Sequence, residues 1–227
     1  MEHTEVTCWT VIRGAARGNE DDVERFVHLY APIVHAYLSG RWRSSPAHEF
    51  IEDAAQEVFV ECFKKGGVLD QADHDRLGSF RAFLVGVVRN VALRYETRKL
   101  PVKEVQAESG FEPEDPKAKE ERLSRVFDRA WAEAVVREAG VRQDERARIL
   151  GAEARRRVEL LRLRFHDGLR IREIAARWNL EPRVVHKEYA RARKEFEEAL
   201  REVMHVHHPR RSSGAENEID QLLELLA

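Results

Sequence analysis

Apolar residues recur at helical spacing along most of this chain. Val23, Phe26, Val27 and Tyr30 fall at i, i+3, i+4 and i+7, and Ile33, Val34, Tyr37 and Leu38 continue the stripe past Pro32. That pattern predicts an amphipathic helix with a kink at the proline. Asp21 or Asp22 is the expected cap, and a shorter helix over residues 9–17, closed by Gly18, precedes it. After a loop at 41–46, residues 47–65 predict a helix that buries Ile51, Ala55, Val58, Phe59 and Cys62. A polar loop over 66–78 leads to Ser79, the expected cap of a fourth helix reaching residue 99. Phe80, Phe83, Leu84, Val87 and Val91 form its inner side.

Residues 100–119 break the periodicity. Prolines at 101, 113 and 116 stand among Glu104, Glu108, Glu112, Glu114 and Asp115, the composition of a flexible acidic linker. Helical spacing resumes with Leu123, Val126, Phe127, Ala130, Trp131 and Ala134, with Gly140 as the expected stop. A further helical segment covers 143–165, and Gly168 ends it. The expected fold is therefore all-α, with two small helical domains at 1–99 and 123–205. A linker at 100–122 joins them, and a tail follows at 206–227.

The most informative stretch lies at 170–196. Ile171, Ile174, Ala175 and Trp178 make the stripe of a short helix, Asn179 to Glu181 interrupt it, and Pro182 suits the first turn of another. In that second helix Val185, Tyr189, Ala192, Phe196, Leu200 and Val203 share one face. Arg183, Lys187, Ala190, Arg191 and Lys194 project on the opposite face. A short helix, a tight turn and a helix with a basic outer face describe a helix-turn-helix, although two packed helices with a solvated charged face have the same pattern. Arg155, Arg156 and Arg157 lie just upstream and add positive charge suited to phosphates.

Charge changes this picture only in part. With 39 Lys and Arg against 41 Asp and Glu the net charge is −2, which excludes a uniformly basic nucleic-acid binder but not segregated faces. On the helix expected at 47–65, Asp53, Gln56, Glu57 and Glu61 gather into an acidic stripe, either a solvated face or a docking surface. On the one that reaches residue 99, Phe80 and Phe83 interleave with Arg81, Arg89, Asn90, Arg94 and Arg98. Single-strand binding uses such a set, although both phenylalanines also suit a core.

Cys8 and Cys62 follow no metal or redox spacing, and Asp70, Asp73 and Asp75 lack the glycine and glutamate of an EF-hand. His205, His207 and His208 have no partner at a zinc-site spacing. With no phosphate-binding loop or nucleophile motif either, an enzyme, a metal and a cofactor are not expected. The absence of a signal peptide or membrane-length apolar run predicts a cytoplasmic protein without membrane insertion.

Three segments in order, IEDAAQEVFVECFKKGG, GSFRAFLVGVVRNVALRYETRK and RRVELLRLRFHDGLRIREIAARW with its following helix, resemble an extracytoplasmic-function sigma factor of bacterial RNA polymerase. The Trp9-Thr10-Val11-Ile12 opening is most similar to planctomycete-type members. The resemblance spans residues 20 to 204 and implies a sigma-two domain, a linker and a sigma-four domain. It implies that Asp53, Gln56, Glu57 and Glu61 dock on the clamp of core polymerase, with the flap as a further contact. It assigns Phe80, Arg81, Arg89, Asn90, Arg94 and Arg98 to the minus-ten promoter element. Arg170, Arg183, His186, Lys187, Arg191 and Lys194 are assigned to the minus-thirty-five element. The chain departs from the family at Phe83, usually tryptophan, at Arg94, often acidic, and in its Val184-Val185-His186-Lys187-Glu188 run. The alternative is a free-standing helix-turn-helix regulator. The tail carries Ile219, Leu222, Leu223, Leu225 and Leu226 among acids. Such a helix is expected to fold back on the basic surface as a brake, or to bind an anti-sigma factor or other regulator.

Overall fold

A computed structural model describes residues 8–64, 69, 80–99 and 115–207. Among them every regular element is helical, as an all-α fold requires. In order these are α1 (Cys8–Ala16), α2 (Glu20–Arg41), a 3-10 turn (Pro46–Phe50), α3 (Ile51–Phe63), α4 (Phe80–Lys99), α5 (Pro116–Leu150), α6 (Ala152–Phe165), α7 (Ile171–Arg177) and α8 (Pro182–His207). None of the described helices is long and apolar enough to cross a membrane.

Local chemistry sets the boundaries. Gly18, at φ +80°, closes α1 as expected. The cap of α2 is Asn19 rather than Asp21 or Asp22. Its Oδ1 accepts the Asp22 N–H at 3.0 Å, while Glu20, Asp21 and Asp22 occupy the first turn and favour the helix dipole. Pro32 lies within α2, which continues to Arg41. Ser79, the polar loop expected at 66–78 apart from Leu69, residues 100–114 of the expected linker and the tail from residue 208 lie outside the described residues.

The chain divides into two compact units, and the division falls inside α5, after Ala134. The boundary expected at residue 123 is therefore displaced, and residues 116–122 of the expected linker are helical. Asp115 caps this helix, accepting the Lys117 N–H at 3.1 Å, with Pro116 in the first turn. Leu123, Phe127 and Trp131 are buried in the first unit. Trp131 stacks on Tyr30 at 5.8 Å, Phe127 meets Tyr37 edge-on at 6.3 Å, and Arg122 donates to the Gly40 carbonyl at 2.9 Å. Helical spacing identifies which residues of this stripe are buried, but not the partner that buries them.

Gly140 does not end α5. It lies in the helix interior, where glycine costs about 1 kcal/mol relative to alanine without breaking the backbone ladder. The stop is Gly151, at φ +100°, a conformation that side-chain-bearing residues rarely adopt.

An aromatic stripe on α2 centres the first unit. Phe26 packs against Tyr30 at 4.6 Å, Phe63 at 5.2 Å and Phe80 at 5.9 Å. Where α2 ends, Arg41 grips Glu96 of α4 through two hydrogen bonds of 2.8 and 2.9 Å, and Trp42 Nε1 donates to the same carboxylate at 2.8 Å. Burial alone would raise the Glu96 carboxyl, but the hydrogen bonds from Arg41 and Trp42 prevail and hold it below the usual carboxylate range. A depressed folded value means that this contribution to stability is complete above the unfolded value and is lost as pH falls through the folded one. Glu96→Gln should therefore cost about 2 kcal/mol at neutral pH and flatten the loss of stability below about pH 4. Denaturant titrations of both proteins across that range check this.

Candidate nucleic-acid interface

The second unit is organised around α7 and α8. The Arg170 N–H donates to Glu173 Oε2 at 2.6 Å, which ties down the start of α7. After Trp178 the chain turns through Asn179 at φ +51°, and the Leu180 N–H returns to the Ala175 carbonyl at 2.9 Å. Asparagine tolerates this left-handed conformation better than other side-chain-bearing residues. Pro182 then opens α8.

Ile174, Ala175 and Val185 are buried with Leu160 and Leu163 of α6, and Trp178, Leu180 and Tyr189 pack around them. Two polar clamps add to this core. Gln143, buried despite its polar side chain, donates to the Ala192 carbonyl at 3.1 Å. Arg157 reaches from α6 to Glu195 at 2.8 Å and Glu188 at 3.4 Å on α8. Arg157 is thus turned inward, contrary to the expectation that it adds to an outer basic surface. Arg156 lies over the Trp178 ring at 4.7 Å, and Arg155 is exposed.

With Val185 and Ala192 buried, the opposite side of α8 faces out. Arg183, His186, Lys187 and Lys194 are exposed and have no ion pair among the described residues. Arg170 is exposed at the head of α7. Arg191 is also exposed but shares Glu188 with Arg157, at 3.1 Å, so its charge is partly offset. The expected outer face is therefore assembled, with Arg183, Lys187 and Lys194 as its free cations.

The two expected sites of the first unit are less open. Asp53 and Gln56 are exposed on α3. Arg94 of α4 ties up the rest of the acidic stripe, pairing with Glu57 at 3.1 Å and Glu61 at 3.0 Å. Lys64 also reaches Glu61 at 2.6 Å, and hydrogen bonds from Lys64 and then Arg94 hold the Glu61 carboxyl below its usual range. Arg94, assigned to DNA by the resemblance, thus pairs with the two glutamates of the stripe assigned to polymerase. Its Nε is buried without a hydrogen-bond partner.

Phe80 requires correction as a DNA contact. It is fully buried against Phe26 and Tyr30, at 5.9 and 5.1 Å, and has no face to offer a base. Phe83 packs on it at 5.6 Å and is half-buried. Arg81 is bonded to Asp128, and Arg89 lies 3.2 Å from Glu120, both acids belonging to α5. Asn90 and Arg98 remain exposed. The sequence reading missed Asp128 and Glu120, although a signal existed. The two arginines and the two carboxylates have equal spacing in opposite chain directions, as antiparallel helices require. Cys62 is buried, and burial pushes its thiol up to about 12, far from a reactive thiolate.

No protein-family model matches this chain, and no curated protein or solved structure matches it.

The turn at Asn179 sets how α8 leaves α7, which gives a direct test. Asn179→Gly should leave stability within about 0.5 kcal/mol, whereas Asn179→Ala should lower it by about 1 kcal/mol. Thermal unfolding of the two variants distinguishes them.

Proposed function

We propose that this chain is a promoter-specificity subunit of bacterial RNA polymerase, similar to extracytoplasmic-function sigma factors. The observation that carries the reading is the face of α8. Its apolar side is buried with α6 and α7, and on the opposite side Arg183, Lys187 and Lys194 stand exposed with no ion pair among the described residues. The second helix of a helix-turn-helix enters the major groove with its N-terminal residues against base edges. Arg183, His186 and Lys187 occupy that end, and Lys194 and the partly offset Arg191 lie further along, where phosphates are met.

The order of the segments supports the same reading, since those resembling sigma-two and sigma-four motifs stand in family order along the chain. The first unit adds two features. Asp53 and Gln56 offer an exposed patch for the polymerase clamp. Among the described residues Arg89 is held by an ion pair about half exposed on each side, worth about 0–1 kcal/mol, so exchanging Glu120 for a DNA phosphate costs little. Asn90 and Arg98 would join it at the minus-ten element. The chain performs no chemistry in this role, since bond formation belongs to the polymerase.

The test is transcription from a library of duplexes by sigma-free bacterial core polymerase supplied with this chain, reading the 5′ ends. Starts should cluster at a fixed distance from a shared two-part motif. Arg183→Glu with Lys187→Glu, both on exposed positions, should lower those starts at least tenfold while leaving the circular dichroism unchanged. Specific duplex binding without polymerase, together with no motif-linked starts, would replace this reading with a free-standing regulator.

A further inference from the structure

Within the second unit a groove of about 240 Å³ is lined by Val136 of α5, Val158, Leu161 and Phe165 of α6, and Phe196 of α8. Phe165 is 45% exposed, a large apolar area to leave in water. Arg193 and Arg162 line the same groove. Arg193 lies over the Tyr189 ring at 5.9 Å and has no carboxylate partner among the described residues, while Arg162 already faces Glu159 and Asp167. The groove is therefore apolar along much of its wall, with Gln143 also lining it and Arg193 as a cation without a carboxylate partner among the described residues.

We propose that this groove is the docking site for the chain's own C-terminal segment, residues 219–226, bound as a short amphipathic helix. The pattern fits. Ile219, Leu222, Leu223 and Leu226 stand at i, i+3, i+4 and i+7, one continuous apolar stripe. The charge fits as well. Glu216, Glu218, Asp220 and Glu224 accompany that stripe with no Lys or Arg among residues 215–227, the complement of Arg193.

The reach is sufficient. Phe196 lies about 16 Å from the end of α8 along the helix axis, and a random chain of the length of residues 208–218 has a root-mean-square span of about 18 Å. The connecting segment can therefore turn back to the groove without being stretched. A helix this short does not form alone in water, so its leucines need a partner surface.

Gly140 provides a separate indication. It also lines the groove, and a Cβ built there would meet no atom within 4 Å. Packing among the described residues thus gives no reason for a glycine inside α5, where alanine is the better helix former. Close approach of another segment supplies one. The inference concerns the second unit and its own tail, and it stands whether or not the chain acts on promoters.

The test uses the full-length chain and its backbone amide NMR spectrum. Three proteins are compared with wild type: Leu222→Asp with Leu223→Asp in the tail, Phe165→Glu in the groove, and Arg193→Glu beside it. In wild type, residues 219–226 should show helical carbon shifts. The tail variant should abolish those shifts and move the amides of Gly140, Leu161, Phe165 and Phe196. Phe165→Glu should return the tail resonances to the same free positions, and Arg193→Glu should weaken docking by about threefold or more. The tail variant cannot unfold the groove, so it remains decisive if Phe165→Glu is unstable. Groove amides unmoved by the tail variant would overturn the proposal, as would tail shifts that move other surfaces of α8 instead. Tail shifts that change with protein concentration would also overturn it, because the occupant would then be the tail of a second copy.

Discussion

The burial of Ile174, Ala175 and Val185 against Leu160 and Leu163 fixes the angular setting of α8, and the proposed chemistry of the second unit depends on that setting. A helix that buries Val185, Ala192 and Leu200 has no choice about its opposite side. Arg183, Lys187 and Lys194 are turned out because the apolar side is turned in. The polar clamps reinforce this. Arg157 engages Glu195 and shares Glu188 with Arg191 on the flank of α8, and Gln143 holds the Ala192 carbonyl. A chain with almost no net charge can in this way still expose a local group of cations at the start of α8.

The first unit uses its charges differently. Its core is the aromatic stripe of α2, extended by Phe80 from α4 and by Phe127 and Trp131 from α5. Around it the arginines of α4 meet acids: Arg94 with Glu57 and Glu61, Arg81 with Asp128, and Arg89 with Glu120. Arg41 and Glu96 form the most sheltered of these pairs, with Trp42 completing the carboxylate's hydrogen bonds. Such pairs contribute modestly where exposed and more where sheltered. They also leave Asp53 and Gln56 as the accessible part of the acidic stripe. Any partner that needs Glu57 or Glu61 must first displace Arg94.

Much of this was legible from periodicity. The stripes of α2, α3, α4, α7 and α8 were read correctly because burial of one helix face is a local property of spacing. The α7–α8 turn was legible too, since Asn179 and Pro182 are local signals. What failed depended on partners distant in sequence. Leu123, Phe127 and Trp131 were assigned to the second unit because a stripe does not name the surface it covers. Gly140 was read as a stop, yet only the backbone conformation distinguishes it from Gly151. Phe80 was placed among DNA contacts although its ring is enclosed by Phe26 and Tyr30. Arg157 was counted with its neighbours, whereas its position on α6 turns it toward α8. In each case a residue's type was informative and its environment, set by a second element, decided its role.

The proposed sigma-type role requires core polymerase to be a partner through α3. The most direct measurement is equilibrium binding of the full-length chain to sigma-free bacterial core polymerase, beside a variant carrying Asp53→Arg and Gln56→Arg. These positions are exposed and carry no ion pair among the described residues, so the substitutions spare the Arg94 cluster. The account predicts that wild type binds with submicromolar affinity and that the folded variant loses at least tenfold. Wild type failing to bind at micromolar concentration, or a variant binding as tightly as wild type, would contradict it.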